Sequence, residues 1–177
     1  MMDKQQLAQA IKKAAYLEGD FILRSGKRSK YYLDKYLFET DPAILREVGE
    51  LLGRHAGADI DRIGGAELGG IPLATAAALA RGKPFIIIRQ GKKDYGTGKM
   101  IEGTIKPGDR ILLVEDVVTT GGQVLEAVET IKQAGATVVK IVAVLDRMEG
   151  AAQKIREAGH RFEALFSSED LGIAVTK

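Results

Sequence analysis

The sequence predicts an α/β fold: an open, mostly parallel sheet flanked by helices. Three observations carry this expectation. From residue 42 onwards, apolar runs alternate with stretches of helical spacing, the pattern of repeated strand–helix units. Pro84–Ile88 and Ile111–Val114 are apolar without a polar alternate, as expected of strands covered on both faces of a parallel sheet. Glycines cluster where apolar runs give way to helical spacing, at Gly64–Pro72 and Thr119–Gly122, and open α/β sheets bind ligands at the carboxyl ends of their strands.

Taken in order, Asp3 can cap a helix that carries Leu7, Ala10, Ile11 and Ala14 on one side. Residues 21–34 form two extended pieces around a Ser–Gly turn, with Arg24, Lys27, Arg28 and Lys30 close together. By itself that segment is a solvated basic hairpin. Asp41 and Pro42 supply the N-cap and first-turn proline of a helix through about His55. A strand over Ile60–Gly64 leads into the first glycine-rich junction and a helix to about Arg81. The strand Pro84–Ile88 ends in Arg89. Residues 90–103 follow as a long stretch with four glycines and no core periodicity, and a loop of that length in a compact domain is usually a lid or a disordered segment. After the strand Ile111–Val114, ending at Glu115–Asp116, come a helix over Val124–Ala134, a strand over Thr137–Leu145, a helix over Ala151–Ala158 and a last strand near Phe162–Phe166.

Composition narrows the function classes. With 177 residues and 45% apolar content, the chain can bury one sizeable core, so residues 1–177 are expected to form a single domain. A net charge of +2 gives no broad nucleic-acid footprint. There is no Cys, which excludes disulfides and thiolate metal sites, and the two histidines are too few for a His-rich metal cluster. His55 and His160 are expected on helix or loop surfaces. No secretory segment or membrane-length apolar run occurs, so the expected location is cytoplasmic, with no membrane partner.

The chemistry concentrates in residues 111–123. A Thr–Thr–Gly–Gly loop between a buried strand and a helix N-terminus suits a phosphate: glycines let backbone N–H groups converge, hydroxyls donate, and the helix end adds partial positive charge. Glu115 and Asp116 cannot bind phosphate, but at the strand end they are placed to accept hydrogen bonds from the hydroxyls of a phosphorylated sugar. Without a Lys–Ser or Lys–Thr after the glycines this is no Walker loop, and the dinucleotide Gly-x-Gly-x-x-Gly pattern is absent. An ordinary strand–helix loop with solvated acids is the plainer alternative.

Over its full length this stretch resembles the signature of type I phosphoribosyltransferases: apolar strand, two acids, two apolar residues, then a short Thr/Gly loop. The resemblance implies a type I phosphoribosyltransferase-like fold, with residues 1–40 as N-terminal helix and hood and residues 90–103 as a mobile lid. It extends from about Phe21 to Arg147 and fits the orotate phosphoribosyltransferases. In that family Phe-x-Leu-x-Ser-Gly leads to a pair lying against the pyrimidine. Here Tyr32 and Leu33 take those positions, and Arg24 replaces a ligand-contacting Lys. Gly69 stands where some members have Lys, which leaves backbone contacts. The family's lid begins with an Arg and continues Lys-x-x-Lys-x-His or Tyr, then Gly; Arg89, Lys93, Tyr95 and Gly96 fit, while Gln90 stands at the first Lys with Lys92 nearby. An Arg after the next strand binds the orotate carboxylate, and Arg147 matches it, although it could equally pair with Asp146 or Glu149.

The resemblance therefore implies transfer of 5-phosphoribosyl from phosphoribosyl pyrophosphate (PRPP) to orotate, releasing pyrophosphate and giving orotidine 5'-monophosphate for pyrimidine biosynthesis. PRPP contacts are expected from Arg24, Gly69, Arg89, Gln90, Lys92, Lys93, Tyr95, Glu115, Asp116, Val117, Val118, Thr119, Thr120, Gly121, Gly122 and Gln123. Orotate contacts are expected from Tyr32, Leu33, Thr119 and Arg147, and catalytic roles from Lys93 and Asp116. Mg²⁺ is expected as a cofactor held mainly by PRPP and water rather than by a protein cage. The family's lid reaches the neighbouring subunit, so a homodimer with shared sites follows. A type I enzyme for another base, or a regulatory PRPP sensor, are the competing readings. The aromatic pair and Arg147 speak against the first, and the lid lysines against the second.

Overall fold

The computed structural model describes residues 2–22, 26, 28–91 and 99–173. The hood comes first. Helix α1 (Lys4–Ala15) starts at Asp3, whose side chain accepts from Gln6 N–H while the Gln6 side chain accepts from Asp3 N–H, a reciprocal capping box. Strands β1 (Tyr16–Ile22) and β2 (Arg28–Leu33) pair antiparallel, and the short helix α2 (Lys35–Glu39) is capped by Asp34. Sequence periodicity misses α2 because its five residues span little more than one turn. Asp41 caps α3 (Pro42–Gly53) by accepting from Ala43 and Ile44 N–H, with Pro42 in the first turn.

The remaining elements are β3 (Arg62–Ala66), α4 (Gly70–Arg81), β4 (Phe85–Ile88), β5 (Ile101–Glu102), β6 (Arg110–Val118), α5 (Gly122–Gln133), β7 (Thr137–Asp146), α6 (Ala151–Glu157) and β8 (Phe162–Ser167). The sheet order is β5-β4-β3-β6-β7-β8. Every pairing is parallel except β4 with β5. The open, mostly parallel sheet is thus as expected, and the carboxyl ends of β3, β4, β6 and β7 line one edge.

Three boundaries differ from the sequence expectation. β6 does not stop at its acids; Val117 and Val118 continue the ladder opposite Leu145 and Asp146. Strand length follows the hydrogen-bond register, which side-chain polarity does not reveal. β3 begins two residues later than Ile60, because Ile60 closes a turn onto Gly57 and Arg62 is the first residue in register with β6. β5 lies inside the stretch read as pure loop: Ile101 is buried and pairs with Ile88, a contact too short to leave a periodic trace. Residues 92–98 of that stretch lie outside the described residues.

Two cores sandwich the sheet. From β6, Leu112 and Val114 enter one with α1, α3 and α4, while Ile111 and Leu113 enter the other with α5 and α6, the period-two alternation of a strand covered on both faces. At the first glycine junction a side chain on Gly65 would sit 2.1 Å from the Gly70 carbonyl oxygen, so helix α4 can approach β3 only because glycine is there. His55 is not an open surface residue. It lies half-buried with Nδ1 2.9 Å from Lys140 Nζ.

Candidate active site

Strand β6 delivers the acidic pair and also divides it. Glu115 shares the parity of Ile111 and Leu113; it lines a cup of about 40 Å³ with residues 117–124, and a wider cleft of about 290 Å³ with Glu67, Arg89, Gln90 and Gln123. Burial and the adjacent Asp116 charge push its carboxyl well above the usual carboxylate range. Asp116 points the other way, toward the hood. It is 1% exposed, its Oδ1 accepts from Val117 N–H, and its Oδ2 lies 2.5 Å from Lys35 Nζ. The two carboxylates leave β6 on opposite sides, yet they stay close enough to interact directly.

The Thr119–Gly122 loop joins β6 to a helix N-terminus, as its sequence pattern predicts. Gly121 takes a left-handed φ of 77° as N-cap of α5 and offers no side-chain cap, so the first N–H groups of α5 are left for a ligand. Glu115, Val117, Val118, Thr119, Thr120, Gly121, Gly122 and Gln123 line the cup together. The end of β7 is tied to it: Arg147 N–H donates to the Val118 carbonyl at 3.0 Å, and Ala151 N–H to the Thr119 carbonyl at 3.0 Å. The main chain at Arg147 therefore stands beside that at Thr119. Its guanidinium is held by Glu149, 3.1 Å away.

Across the edge, Arg89 and Gln90 converge on Glu67. Arg89 Nη1 is 3.3 Å from Glu67 Oε1; Gln90 N–H donates to Glu67 Oε2 at 3.2 Å, and the Gln90 side-chain amide donates to the Glu67 carbonyl at 2.8 Å. Glu67 was missed among the candidate residues. Its signal was an acid at the carboxyl end of one strand facing an arginine at the carboxyl end of the next. Gly69 packs on Asp116, since a side chain there would come 1.7 Å from Asp116 Oδ2. In the hood, Tyr32 is 43% exposed and lies 5.6 Å from the Phe21 ring, whereas Leu33 turns into the core. Adjacent strand residues face opposite ways, so Tyr32 alone of that pair is open to a ligand. Arg24, Lys92, Lys93 and Tyr95 lie outside the described residues.

A glycine-lined cup after β6, an arginine after the adjacent β7 and a second arginine after β4, two strands away on the other side, suit a substrate with several anionic groups. Residues 38–161 match the phosphoribosyl transferase domain family, so the class is phosphoribosyl transfer. The chain is 47% identical over 156 residues to orotate phosphoribosyltransferase of Pyrococcus abyssi, covering 86% of each chain. It is 43% identical over 170 residues to the orotate phosphoribosyltransferase of Methanosarcina mazei, covering 95% of this chain and 91% of that one. The crystal structure of Mycobacterium tuberculosis H37Rv orotate phosphoribosyltransferase in complex with PRPP superposes with a TM-score of 0.83 at 31% identity, covering 97% of this chain and 100% of that chain. This chain belongs to the orotate phosphoribosyltransferase family.

Proposed function

We propose that this chain transfers the 5-phosphoribosyl group of PRPP to a ring nitrogen of orotate, giving orotidine 5'-monophosphate and pyrophosphate in pyrimidine biosynthesis. The observation that carries the reading is the main-chain joint between Arg147 and Val118, which sets a carboxylate-binding guanidinium next to the phosphate loop. The bond from C1 of ribose to pyrophosphate loosens as the bond to orotate nitrogen forms, leaving an oxocarbenium-like sugar between them. The α5 N-terminus and the Thr119–Thr120 hydroxyls hold the 5-phosphate, and the acids at the end of β6 take ribose hydroxyls. Arg89, Gln90 and the backbone at Gly69 face the pyrophosphate, with Arg24, Lys92, Lys93 and Tyr95 as further contacts. Lys93 balances charge on the departing group, and closure of the lid excludes the water that would hydrolyse PRPP. Tyr32, with Leu33 behind it, covers the base.

Mg²⁺ fits this site as an ion carried by the ligand. Glu115 offers a hard oxygen at the cup, but no group of three or more metal-binding side chains comes together among the described residues. Pyrophosphate and ribose oxygens with retained water would complete its shell, and the ion would offset charge on the leaving group. We further infer a single catalytic domain acting as a homodimer with shared sites. Among the described residues no helix is long and apolar enough to cross a membrane, which is compatible with a cytoplasmic place. The test is the loss of orotate absorbance with PRPP and Mg²⁺. Absorbance loss is expected with orotate and not with uracil or purines; turnover of another base in preference would overturn the reading.

A further inference from the structure

Behind the acidic pair lies a second group of charges that no phosphate or base contact explains. Lys35, on the hood helix α2, reaches across to Asp116 with Nζ 2.5 Å from Oδ2. The lysine side chain is 34% exposed but the aspartate only 2%. Glu39, one turn further along α2, is 1% exposed, and neither of its carboxyl oxygens has a hydrogen-bond partner among the described residues. Gly69 closes the group from the opposite side: a side chain there would meet Asp116 Oδ2 at 1.7 Å and Glu39 Oε1 at 2.9 Å.

We propose that Lys35 is a positioning residue for PRPP: from the hood it holds the Asp116 carboxylate fixed at the end of β6, and with it the Gly69 backbone that rests on that carboxylate. The inference deepens the proposed reaction and rests on it. Three acids lie close together here, the buried Glu39 and Asp116 with the partly buried Glu115 beside them, and Lys35 reaches Asp116. Burial works against the charge on Lys35, but the attraction and hydrogen bond of Asp116 more than offset it, so its pKa is raised and it stays charged throughout the physiological range. Without Lys35 the aspartate is left buried beside two other carboxyls with no counter-charge among the described residues, an arrangement relieved when it swings away. That movement removes the acceptor for a ribose hydroxyl and lets the Gly69 turn move. The acceptor side at Arg147 and Thr119 is attached to β7 and α6 and is not touched.

The position of Lys35 also accounts for glycine at residue 69. The space a side chain would occupy is filled by Asp116 Oδ2, so a cation delivered from that loop would have to displace the carboxylate. Here the cation comes from α2 instead.

The test is steady-state kinetics on Lys35→Met, Lys35→Arg and Lys35→Met combined with Asp116→Asn, with thermal melts on each. Removing one partner of a buried charged pair, discounted for the partly exposed lysine, should raise the KM for PRPP roughly tenfold. The KM for orotate should stay within about twofold, because its contacts are on other elements. Lys35→Arg should recover most of the PRPP affinity. In the Asp116→Asn background, where calorimetry reads the PRPP Kd in place of KM, the lysine substitution should weaken PRPP no further, since there is no carboxylate left to position; an effect of undiminished size there would overturn the proposal. Equal weakening of both substrates, or an unchanged PRPP KM, would overturn it as well. Lys35→Gln reads the same quantity should the Met variant not fold. Failure of the wild-type enzyme to consume orotate with PRPP would instead sink the proposed reaction, which separates the two.

Discussion

Glu39 offers a direct measurement of the buried charge group. Burial, followed by the negative charge of Asp116, pushes its carboxyl from 4.5 up to about 8, with Lys35 pulling the other way. The folded protein therefore keeps a proton on Glu39 at neutral pH, where the unfolded chain has released it. A proton on Glu39 can serve its own otherwise unpartnered carboxyl oxygens. Because the folded value is the higher one, the associated stability is fully present below pH 4.5 and is lost as pH rises toward 8. The slope is about 1.4 kcal/mol per pH unit between the two values, or an upper limit of about 3 kcal/mol lost by pH 7. Glu39→Gln keeps the shape, cannot ionise, and can donate its amide N–H toward Asp116. Thermal melts from pH 4.5 to 8.5 should show the variant more stable than wild type at pH 7, by roughly 5 to 10 °C for a chain of this size. The gap should narrow to a degree or two at the acid end. Parallel curves for the two proteins, or a less stable variant at pH 7 to 8, would refute the protonated Glu39.

Other substitutions probe the two substrate sides. Arg147→Ala should weaken orotate binding by roughly 2 to 4 kcal/mol by leaving its carboxylate poorly paired, while calorimetry should find PRPP affinity nearly unchanged; equal weakening of both would make Arg147 structural. Glu149→Gln releases Arg147 from its internal partner and should tighten orotate about two- to fivefold, as expected for a partly exposed pair, and a weaker orotate complex would contradict that competition. Lys93→Ala should lower turnover roughly a hundredfold with the fold intact, the typical loss of one donor to a leaving group. Mixing Lys93→Ala with Asp116→Asn subunits should restore part of the activity through hybrid dimers, and no recovery would place each site within one chain.

The sequence made the sheet legible because buried parallel strands and glycine junctions leave strong local marks. Asp3 and Asp41 announced their helices through capping chemistry, which is local as well. What it hid was anything decided by which way a side chain turns across a junction. Glu115 and Asp116 are adjacent in the chain and read as one acidic pair, yet the pleat of β6 sends one to the phosphate cup and the other to the hood. The same parity separates Tyr32 from Leu33. Glu39 and Lys35 were invisible for a different reason: they sit on a one-turn helix without periodicity, and their meaning comes from a carboxylate far along the chain. Glu67 escaped because its partners Arg89 and Gln90 are brought to it only by the parallel pairing of β3 with β4.

Three cations around the site are held by the protein's own carboxylates, and their exposures sort them by role. Arg89 with Glu67 and Arg147 with Glu149 are partly exposed on both sides, at 27% and 27%, and at 24% and 32%. A pyrophosphate or an orotate carboxylate can replace either glutamate while the displaced anion turns to water, so the guanidinium never loses a counter-charge and the exchange carries little desolvation penalty. Lys35 with Asp116 is different, because the aspartate is only 2% exposed and has no route to water that leaves β6 in place. An incoming ligand can add to that pair but not exchange with it. The two arginines are therefore suited to capture substrates, and the lysine to hold the site's own carboxylate in place for them, which is why removing it should be felt by PRPP and not by orotate.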